Sequence, residues 1–593
     1  MSLLLKSPNI VSKTRLWIFY IFVIFIHFLL IARFFKIQIV DNEIYKKRAK
    51  SNYVRALSQP APRGLILDRH GEIIVDNYPT YIVYGIDAEI KNKDKNYSII
   101  SAATGIDTSI LINNYNNYFR SRFLPSRIAK DLTIEQLSRL EEEKNNLTGI
   151  IYKQFPERIY HPKVRLTHVL GYLKEVDKEM MDNFKDAKYN FGDLVGWSGI
   201  EKQYEKKLRG KKGVSYYQVD AFGREAGKVE SYQNILSQPG QNVNTTLDLN
   251  IQLLVEDIYN DKKGAVIVSK PKTGEILSYL SSPDYNPDLF TGLVSSKEWQ
   301  SIVSDPDRPL LNRAANGMYP PGSIYKMIVA VELLERKLID NKWSVFCTGE
   351  YDFYDRVHKC WEKNGHGKVN LESAIAQSCD VFFYESIQKV RLNDLEERSK
   401  SFFHGVPTNI DLPSEMKGRM PNRNYMNKLY GRYGWSTGAM LNISIGQGEI
   451  LVTPIQMAAY INILATKGNT KKLHLVSGNP LVDYNKISLN ENTWGAIHNG
   501  MRKVVYAPKG TGRLSNPKIS GVDVFGKTGT AENPHGETHA WYIGYALNQN
   551  GDMVSVVILV ENGGGGGSVA SPIAAKIFKE YFNNKNIKLA NNQ

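Results

Sequence analysis

The stretch Met318–Tyr319–Pro320–Pro321–Gly322–Ser323–Ile324–Tyr325–Lys326 decides how the rest of the chain is interpreted. Its prolines and glycine predict a turn, and apolar residues at helical spacing follow, so Ser323 is expected at a helix N-terminus. Residues three apart share a helix face, which predicts that the Lys326 amine lies beside the Ser323 hydroxyl. A neutral lysine activates a serine nucleophile, and the free N–H groups of a first helical turn favour an oxyanion. The stretch therefore predicts a serine nucleophile with a lysine base.

The order of short motifs selects Ser323 among several serines. The pattern S-x-x-K also occurs at Ser269, Ser386, Ser414 and Ser515, so it carries little information alone. Ser323 is followed by Ser378–Cys379–Asp380 and then by Lys527–Thr528–Gly529–Thr530. This ordered set is typical of penicillin-binding proteins and class A β-lactamases. A second K-T-G, at Lys272, precedes Ser323 and lies between two strand patterns, which predicts a hairpin turn.

Each later motif has a predicted chemical role. Ser378 is predicted to relay protons between Lys326 and the leaving amine. Asp380 replaces the more usual asparagine; an ionised carboxylate accepts but does not donate hydrogen bonds, so we expect it to hold Lys326. A cation and hydroxyls on a strand edge suit a peptide carboxylate, and a glycine allows close approach of the substrate. The predicted catalytic residues are Ser323, Lys326, Ser378, Asp380 and Lys527, and the predicted substrate-binding or oxyanion residues are Thr528, Gly529 and Thr530.

The chain has 593 residues, which predicts several domains. We expect an α+β protein whose C-terminal domain has one antiparallel sheet covered by helices, because strand patterns at both ends of that region enclose helical ones. The predicted divisions are a cytoplasmic N-terminus at 1–15, a transmembrane helix at 16–35, an N-terminal pedestal or dimerisation-type module at 36–240, a catalytic domain at 241–582 and a polar tail at 583–593.

Residues Leu16 to Ala32 carry no formal charge and are just long enough to span a bilayer if Phe34 and Phe35 contribute and Arg33 snorkels. A cleaved signal peptide is the alternative, but Arg-Phe-Phe-Lys follows the run where a cleavage site needs small residues. Basic residues without acidic ones before the run favour a cytoplasmic N-terminus. The sequence therefore predicts a single-pass anchor with the remaining chain outside the cytoplasmic membrane.

The net charge of +15 does not by itself indicate nucleic acid, because the lysines are spread along the chain. Compositional bias explains it, with attraction to anionic lipid or a diphosphate substrate as the alternative. Within the 36–240 module, the segments 61–69 and 195–201 carry no recognisable chemistry. A buried Arg63–Asp68 pair or turn-forming glycines are the structural interpretation of these segments.

The three cysteines lie within 33 residues of one another, and the last of them is the middle residue of Ser378–Cys379–Asp380, which we call the S-x-D motif. Together with one histidine they form a C-x12-C-x5-H-x12-C pattern, which lacks a tight C-x2-C knuckle. Three thiolates and one imidazole make a closed tetrahedral zinc set. One disulfide with a free thiol, or three unliganded thiols, are the alternatives. The candidate metal ligands are Cys347, Cys360, His366 and Cys379.

Taken together, the motifs resemble class B penicillin-binding proteins, and the S-x-D triplet favours the elongation-specific subfamily. Further motifs in the same order are Arg63–Gly64, Ile445–Gly448 and Thr453–Gln456. The resemblance covers roughly residues 15 to 580. It implies a penicillin-binding/serine β-lactamase-like fold and an inner-membrane D,D-transpeptidase with its catalytic domain in the periplasm. Some relatives have a metal site at comparable positions, which supports structural zinc; catalysis itself needs no cofactor.

The resemblance also implies the reaction and its partners. Ser323 would attack the penultimate D-alanine carbonyl of a peptidoglycan stem peptide, with the oxyanion held by the N–H groups of Ser323 and Thr530. β-Lactams would acylate the same serine, and a polytopic glycosyltransferase of the elongation machinery would be the partner. A D,D-carboxypeptidase side activity is compatible with this reaction.

Several alternatives to this reading stay open or are disfavoured. A division-specific transpeptidase and a non-catalytic β-lactam receptor or scaffold stay open. A β-lactamase is disfavoured because no deacylating glutamate is recognisable, and a bifunctional synthase because 37–240 lacks E-D-x-x-F.

Overall fold

The computed structural model describes residues 13–46, 54–119, 121–176, 180–181, 189, 192–219, 225–228, 233–290, 296–432, 434–435, 437–534 and 536–590. Most of the predicted cytoplasmic N-terminus and the end of the predicted polar tail lie outside these residues. The chain forms two compact units. The first unit comprises residues 1–62, 78–157 and 210–239, and the second unit comprises 63–77, 158–209 and 240–593. The predicted domain divisions stay predictions.

The α-helices of the described chain are α1 Lys13–Phe35, α2 Lys93–Thr104, α3 Thr108–Tyr118, α4 Ile134–Glu142, α5 Thr167–Leu170, α6 Gly199–Gln203, α7 Glu205–Leu208, α8 Leu249–Ile258, α9 Ser296–Val303, α10 Lys326–Glu335, α11 Leu371–Gln377, α12 Asp380–Ile387, α13 Leu392–Ser401, α14 Arg423–Tyr430, α15 Thr437–Ser444, α16 Pro454–Ala465, α17 Glu491–Tyr506 and α18 Ser571–Ala590.

The strands are β1 Val54–Gln59, β2 Ile66–Leu67, β3 Ile73–Gly85, β4 Ser126–Leu132, β5 Ile150–Tyr160, β6 Leu173–Glu175, β7 Leu194–Gly196, β8 Gly213–Val219, β9 Glu225–Lys228, β10 Val243–Asn244, β11 Gly264–Ser269, β12 Ile276–Ser282, β13 Ser344–Cys347, β14 Glu350–Phe353, β15 Arg356–Lys359, β16 Gly367–Asn370, β17 Val522–Ala531, β18 His539–Asn548 and β19 Met553–Val560.

The second unit is built on one antiparallel sheet of five strands in the order β12-β11-β19-β18-β17. β11 and β12 form the predicted hairpin, with Gly264 opposite Ser282. β17, which carries the K-T-G motif, lies at the edge and pairs with β18, so that Gly529 faces Trp541. The α+β class and the antiparallel sheet covered by helices are confirmed.

Both faces of this sheet are covered. Every residue of β11, β12 and β19 is buried, and alternate residues enter different cores. Ala265 and Ile267 pack with residues of α10 and α16. Val266 and Val268 pack with residues of α8 and α18 on the other face. The edge strand β17 is therefore fixed by two layers of helices.

Two helices under the sheet are almost entirely enclosed. Every residue of α16 is buried, and its N-terminus is closed by a capping box between Thr453 and Gln456. In α10, Lys326 and the seven residues after it are all buried. A lysine at the first position of such a helix must enter the core, where its ammonium needs a partner.

The C-terminal helix α18 runs from Ser571 to Ala590, so it continues into the segment predicted as a polar tail. Ile573, Ile577 and Phe578 pack in the core that faces α8.

The first unit has a small core of its own. The second half of β3 pairs antiparallel with β4, with Tyr81 opposite Leu132. α2, α3 and α4 pack beside these strands and contribute Ile100, Leu111 and Leu140 to the core. β1, β8 and β9 form a separate three-stranded sheet of this unit.

Arg63 does not pair with Asp68, so the prediction of a buried Arg63–Asp68 pair is wrong. Its guanidinium donates to Glu201 at 2.5 Å and to Glu205 at 2.7 Å, and Arg158 donates to Glu201 at 2.8 Å. Burial by itself disfavours the Glu201 carboxylate, yet the charges of Arg158 and Arg63 outweigh it, so the pKa of Glu201 lies below its ordinary value. Asp68 instead accepts backbone N–H bonds within its own turn.

The N-terminal helix α1, extended by a π-helical turn at Lys36–Val40, is the one helix of the described chain long and apolar enough to cross a membrane. Its side chains pack in no core, since the whole helix is unburied. An apolar helix without protein around it fits a lipid environment. This agrees with the predicted single membrane span.

Replacing Glu201 by alanine is expected to lower the free energy of unfolding by about 3–5 kcal/mol, because two buried guanidiniums lose their carboxylate. Denaturant titration of the detergent-solubilised chain measures this. The matched control is Asp523→Ala, which removes an ion pair with Arg502 that is about half exposed; we expect a loss of at most about 1 kcal/mol there. Equal losses for both variants would contradict the assignment.

Candidate active site

Ser323 lies in a short 3₁₀ turn, Gly322–Tyr325, directly before α10. Gly322 has a φ of 58°, which favours glycine, and its N–H donates to the Gly446 carbonyl at 2.9 Å. The indole N–H of Trp541 donates to the Pro320 carbonyl at 3.1 Å. The serine turn is thus held from the sheet by Trp541 and from the loop after α15 by Gly446.

The Lys326 amine is completely buried at the start of α10. It donates to the Ser378 carbonyl at 2.9 Å, to the Ser378 hydroxyl at 3.2 Å and to the Asp380 carboxylate at 2.6 Å. Among the residues that the structure describes, no hydrogen bond joins it to the Ser323 hydroxyl. The amine is therefore held by the S-x-D motif.

Ser378 lies between two buried lysines. It has left-handed backbone angles, with φ 57° and ψ 39°, at the C-terminus of α11. Its hydroxyl accepts from Lys326 at 3.2 Å and from Lys527 at 3.0 Å. A serine hydroxyl has two acceptor positions and one proton to donate. With both acceptor positions occupied, that proton is available to a group in the cleft.

Lys527 is buried within β17 and donates to the Ser378 hydroxyl and, at 2.9 Å, to the Thr528 carbonyl. Burial lowers its pKa well below the ordinary value, the charge of Lys326 lowers it further, and the Asp380 carboxylate opposes both. A substrate carboxylate beside this amine would favour its charged form.

Asp380 is the first residue of α12 and holds two groups at once. One carboxylate oxygen accepts from Lys326, and the other accepts from the Trp361 backbone N–H at 3.1 Å. The predicted role of Asp380, to hold Lys326, agrees with this geometry. The same contact connects the S-x-D motif to the chain beside Cys360.

The rest of the K-T-G segment borders the same cleft. The Thr528 hydroxyl donates to the Thr511 hydroxyl at 2.7 Å. A side chain at Gly529 would meet Ile324, the Pro321 carbonyl and Trp541 at 3.1 Å, so the strand packs closely against the serine turn. Thr530 is exposed at the strand edge, where its backbone is accessible to a ligand.

One cleft of about 1170 Å³ brings the predicted residues together. Of the predicted set, Ser323, Ser378, Asp380, Thr528 and Thr530 line it. Lys326 and Lys527 do not line the cleft themselves but donate to the Ser378 hydroxyl, and Gly529 packs against the serine turn at the side of the cleft.

Sequence reasoning missed several residues that line the same cleft, namely Trp361, Tyr384, Thr511 and Gly566. The five-glycine run at 563–567 was a usable signal for Gly566. A side chain there would come within 2.4 Å of the Gly529 carbonyl, so the loop packs directly on the K-T-G strand.

The predicted metal ligands also converge. The ligand atoms of Cys347, Cys360, His366 and Cys379 all lie within 4.8 Å of one another. The sulfurs of Cys347 and Cys360 are each 3.6 Å from Nδ1 of His366, and no cysteine forms a disulfide. Zinc bond lengths in a tetrahedral Cys/His site place sulfur and nitrogen about 3.5 Å apart. The four side chains therefore fit a tetrahedral zinc site.

Comparison with known proteins identifies both halves of the chain. Residues 264–579 match the penicillin-binding protein transpeptidase domain. Residues 58–245 match the penicillin-binding protein dimerisation domain.

Full-length relatives agree with these matches. The peptidoglycan D,D-transpeptidase MrdA of Haemophilus influenzae is 30% identical over 589 residues, covering 94% of this chain and 89% of that protein. Among solved structures, the penicillin-binding protein PBP2 of Helicobacter pylori in complex with MreC has a TM-score of 0.77 at 29% identity, covering 89% and 99% of the two chains. A chain from a peptidoglycan synthase complex that coordinates polymerization and crosslinking has a TM-score of 0.72 at 27% identity, covering 96% and 99%.

The electrostatics of the site predict how the pKa of Lys527 responds to its neighbours. Asp380→Asn is expected to lower this pKa further, and Lys326→Met is expected to raise it, because the first removes an opposing negative charge and the second a positive one. NMR titration of the chain with ¹⁵Nζ-labelled lysine, with the signal assigned by its loss in Lys527→Met, measures both shifts. Titration of Lys527 at the value of a free lysine would contradict the predicted electrostatics.

Proposed function

The chain belongs to the penicillin-binding protein transpeptidase family, and from this we propose that it is an elongation-specific peptidoglycan D,D-transpeptidase that cross-links stem peptides through an acyl-enzyme on Ser323. The observation that carries the assignment of residues is the Ser378 hydroxyl, which accepts from both buried lysines in the cleft that Ser323 lines. Catalysis in this family proceeds without a cofactor.

In the proposed acylation, Ser323 Oγ attacks the carbonyl carbon of the penultimate D-alanine. In its neutral form the Lys326 amine accepts the Ser323 proton, and the Asp380 carboxylate, 2.6 Å away, stabilises the ammonium that forms. The Ser378 hydroxyl donates a proton to the departing nitrogen and is reprotonated by Lys326. The peptide C–N bond breaks, D-alanine leaves, and an ester on Ser323 remains.

Substrate is held along the edge of β17. Lys527 and the Thr528 hydroxyl would bind the terminal carboxylate of the donor peptide, since a buried ammonium lacking a carboxylate of its own favours an incoming anion. The backbone N–H groups of Ser323 and Thr530 would hold the oxyanion. Gly529 allows the peptide to approach the strand closely.

The second half-reaction reverses the proton path. The amine of a neighbouring stem peptide attacks the ester carbonyl, loses its proton toward Ser378 and Lys326, and forms the cross-link as Ser323 is released. A β-lactam would acylate Ser323 in the same way. The relatives named D,D-transpeptidase do not favour a division-specific enzyme or a non-catalytic receptor.

The N-terminal helix makes the chain a single-pass membrane protein of the kind expected for this family. We place the N-terminus in the cytoplasm and the second unit in the periplasm, because the residues before Leu16 include basic but no acidic side chains.

A glycosyltransferase is the partner that the proposed reaction requires, because cross-linking consumes freshly polymerised strands. A similar chain occurs in a complex that coordinates polymerization and crosslinking. We propose that this protein likewise works with a polytopic glycosyltransferase of the elongation machinery.

We also propose that Cys347, Cys360, His366 and Cys379 hold a structural zinc ion. The four ligand atoms lie within 4.8 Å of one another, two of the sulfurs lie 3.6 Å from the His366 ring nitrogen, and Cys379 immediately precedes Asp380 in sequence. The ion would fix the loop that carries Trp361 beside the S-x-D motif and would not enter the reaction.

Intact-mass analysis of the full-length chain in detergent after incubation with benzylpenicillin tests the proposed nucleophile. We expect one covalent adduct, mapped to the Ser323 peptide and absent in Ser323→Ala, because this serine forms the acyl-enzyme. Ser414→Ala, which alters an exposed S-x-x-K serine, is the matched control and keeps the adduct. Slow loss of the adduct favours a transpeptidase over a β-lactamase; a folded chain without an adduct would refute the assignment.

Metal analysis of freshly purified, unchelated chain tests the zinc site. We expect one equivalent of zinc in the wild type and much less in Cys379→Ser, because one of four ligands is lost. Ser378→Ala, the neighbouring substitution outside the ligand set, is expected to retain the metal. Absence of zinc from the wild type, or a disulfide mapped between two of these cysteines, would end the proposal.

A further inference from the structure

A second cavity, of about 690 Å³, lies in the second unit and plays no part in the proposed chemistry. We define it by the side chains that line it on the β14–β15 hairpin, Phe353, Tyr354 and His358, and on the opposite wall, Tyr430 and Glu449. Its volume is that of a typical small-ligand site.

The same two chain segments border this cavity and the catalytic cleft. On the hairpin side, residues 353–356 and 358 face the second cavity, whereas Lys359 and Trp361 line the cleft. On the other side, residues 442, 443, 448 and 449 face the second cavity, whereas Ile445 and Gln447 line the cleft. A polymer that leaves the cleft along these segments therefore meets the second cavity.

A series of aromatic rings connects the two cavities. Tyr384 lines the catalytic cleft, and its ring centre is 6.2 Å from that of Tyr351. Tyr351 stacks with Phe353 at 6.4 Å, and Phe353 contacts Tyr354 edge-on at 4.7 Å. The rings thus run from the catalytic cleft to the tip of the hairpin.

Tyr354 occupies a position that its own fold does not favour. Phe353 pairs with Arg356, so Tyr354 and Asp355 form a two-residue hairpin loop, where asparagine and glycine are the usual residues. Tyr354 has a φ of 54° and is 88% exposed. A bulky ring with left-handed backbone angles and almost no contact area gains nothing for stability. Its placement is better explained by contact with a ligand.

The remaining wall supplies a few polar groups. The Tyr430 hydroxyl donates to Glu449, and Glu449 also pairs with Arg419 at 3.4 Å. His358 and Asn442 line the same space. Aromatic faces with a few oriented polar groups suit a sugar, whose C–H face packs on a ring while its hydroxyl and acetamide groups form hydrogen bonds.

We propose that the second cavity binds the glycan portion of a peptidoglycan strand whose stem peptide occupies the catalytic cleft. This inference rests on the proposed function, because it takes the stem peptide as the cleft's substrate. Tyr354 and Phe353 stack on N-acetylated sugar rings, and the Tyr430–Glu449 pair orients their polar groups. The site lets the enzyme distinguish a stem peptide on a polymer from a free peptide.

Titration of the full-length chain in detergent with a peptide-free tetrasaccharide of alternating N-acetylglucosamine and N-acetylmuramic acid tests the site. We expect measurable binding by calorimetry, weakened about 3- to 10-fold in Tyr354→Ala and retained in Tyr354→Phe, which keeps the ring. Val357→Ala is the matched control, because Val357 is exposed on the same hairpin but does not line the cavity.

Acylation of Ser323 by benzylpenicillin, measured on the same samples, separates this inference from the proposed function. We expect it to be unchanged in Tyr354→Ala, since Tyr354 lies outside the catalytic cleft. An acylated wild type that does not bind the tetrasaccharide, or that binds it as well after Tyr354→Ala, overturns the glycan site alone. Loss of a protein partner in Tyr354→Ala without any change in glycan affinity would likewise overturn it in favour of a protein interface. A wild type that is not acylated overturns the proposed function itself.

Discussion

The buried amines of Lys326 and Lys527 both donate to the Ser378 hydroxyl, and the helices and strands of the second unit that enclose them keep both amines away from water. An unpaired buried ammonium is costly. Asp380 pairs with the ammonium form of Lys326, whereas Lys527 donates to the Ser378 hydroxyl and the Thr528 carbonyl. Burial and the charge of Lys326 lower the pKa of Lys527. The site therefore holds one strong ion pair and one amine that gains charge when an anion arrives. This difference supports the proposed proton-transfer role of Lys326 and the proposed binding role of Lys527.

Both amines depend on hydrogen bonds to Ser378, so the strand and helices that carry these three residues must be held in place. β17 is an edge strand, yet it is bonded along its whole length to β18 and supported by helices on both faces of the sheet. α10 begins at Lys326 and runs through the core without an exposed residue until Leu334. The contacts from Trp541 and Gly446 then fix the serine turn against this frame. Among the described residues the outer edge of β17 pairs with no further strand, while Lys326 and Lys527 beneath it are buried.

The sequence predicted the chemistry of the site better than its geometry. Motif order was enough to group Ser323, Lys326, Ser378 and Lys527, because residue types that carry a reaction recur in a fixed order. The partner of Arg63 was predicted wrongly, since Asp68 is near in sequence but Glu201 is near in space, and only tertiary packing decides between them. The left-handed backbone conformation of Ser378 could not be predicted from the sequence either, because the residue types of the S-x-D motif do not specify its φ. The antiparallel sheet was predictable from apolar strand patterns at both ends of the domain, whereas the β14–β15 hairpin has no such pattern.

Adjacent residues and one hydrogen bond connect the β14–β15 hairpin to the cysteine cluster and to the S-x-D motif. β15 ends at Lys359, the next residue is the cluster's Cys360, and the backbone N–H of Trp361 binds Asp380. Cys379, another member of the cluster, lies between Ser378 and Asp380 in sequence. An ion or a bond that orders the four side chains therefore also influences the position of Asp380, and through Asp380 that of Lys326. The same ordering fixes the base of the hairpin that carries Tyr354. Because the proposed chemistry and the proposed strand binding share this support, loosening the cluster is expected to disturb both together.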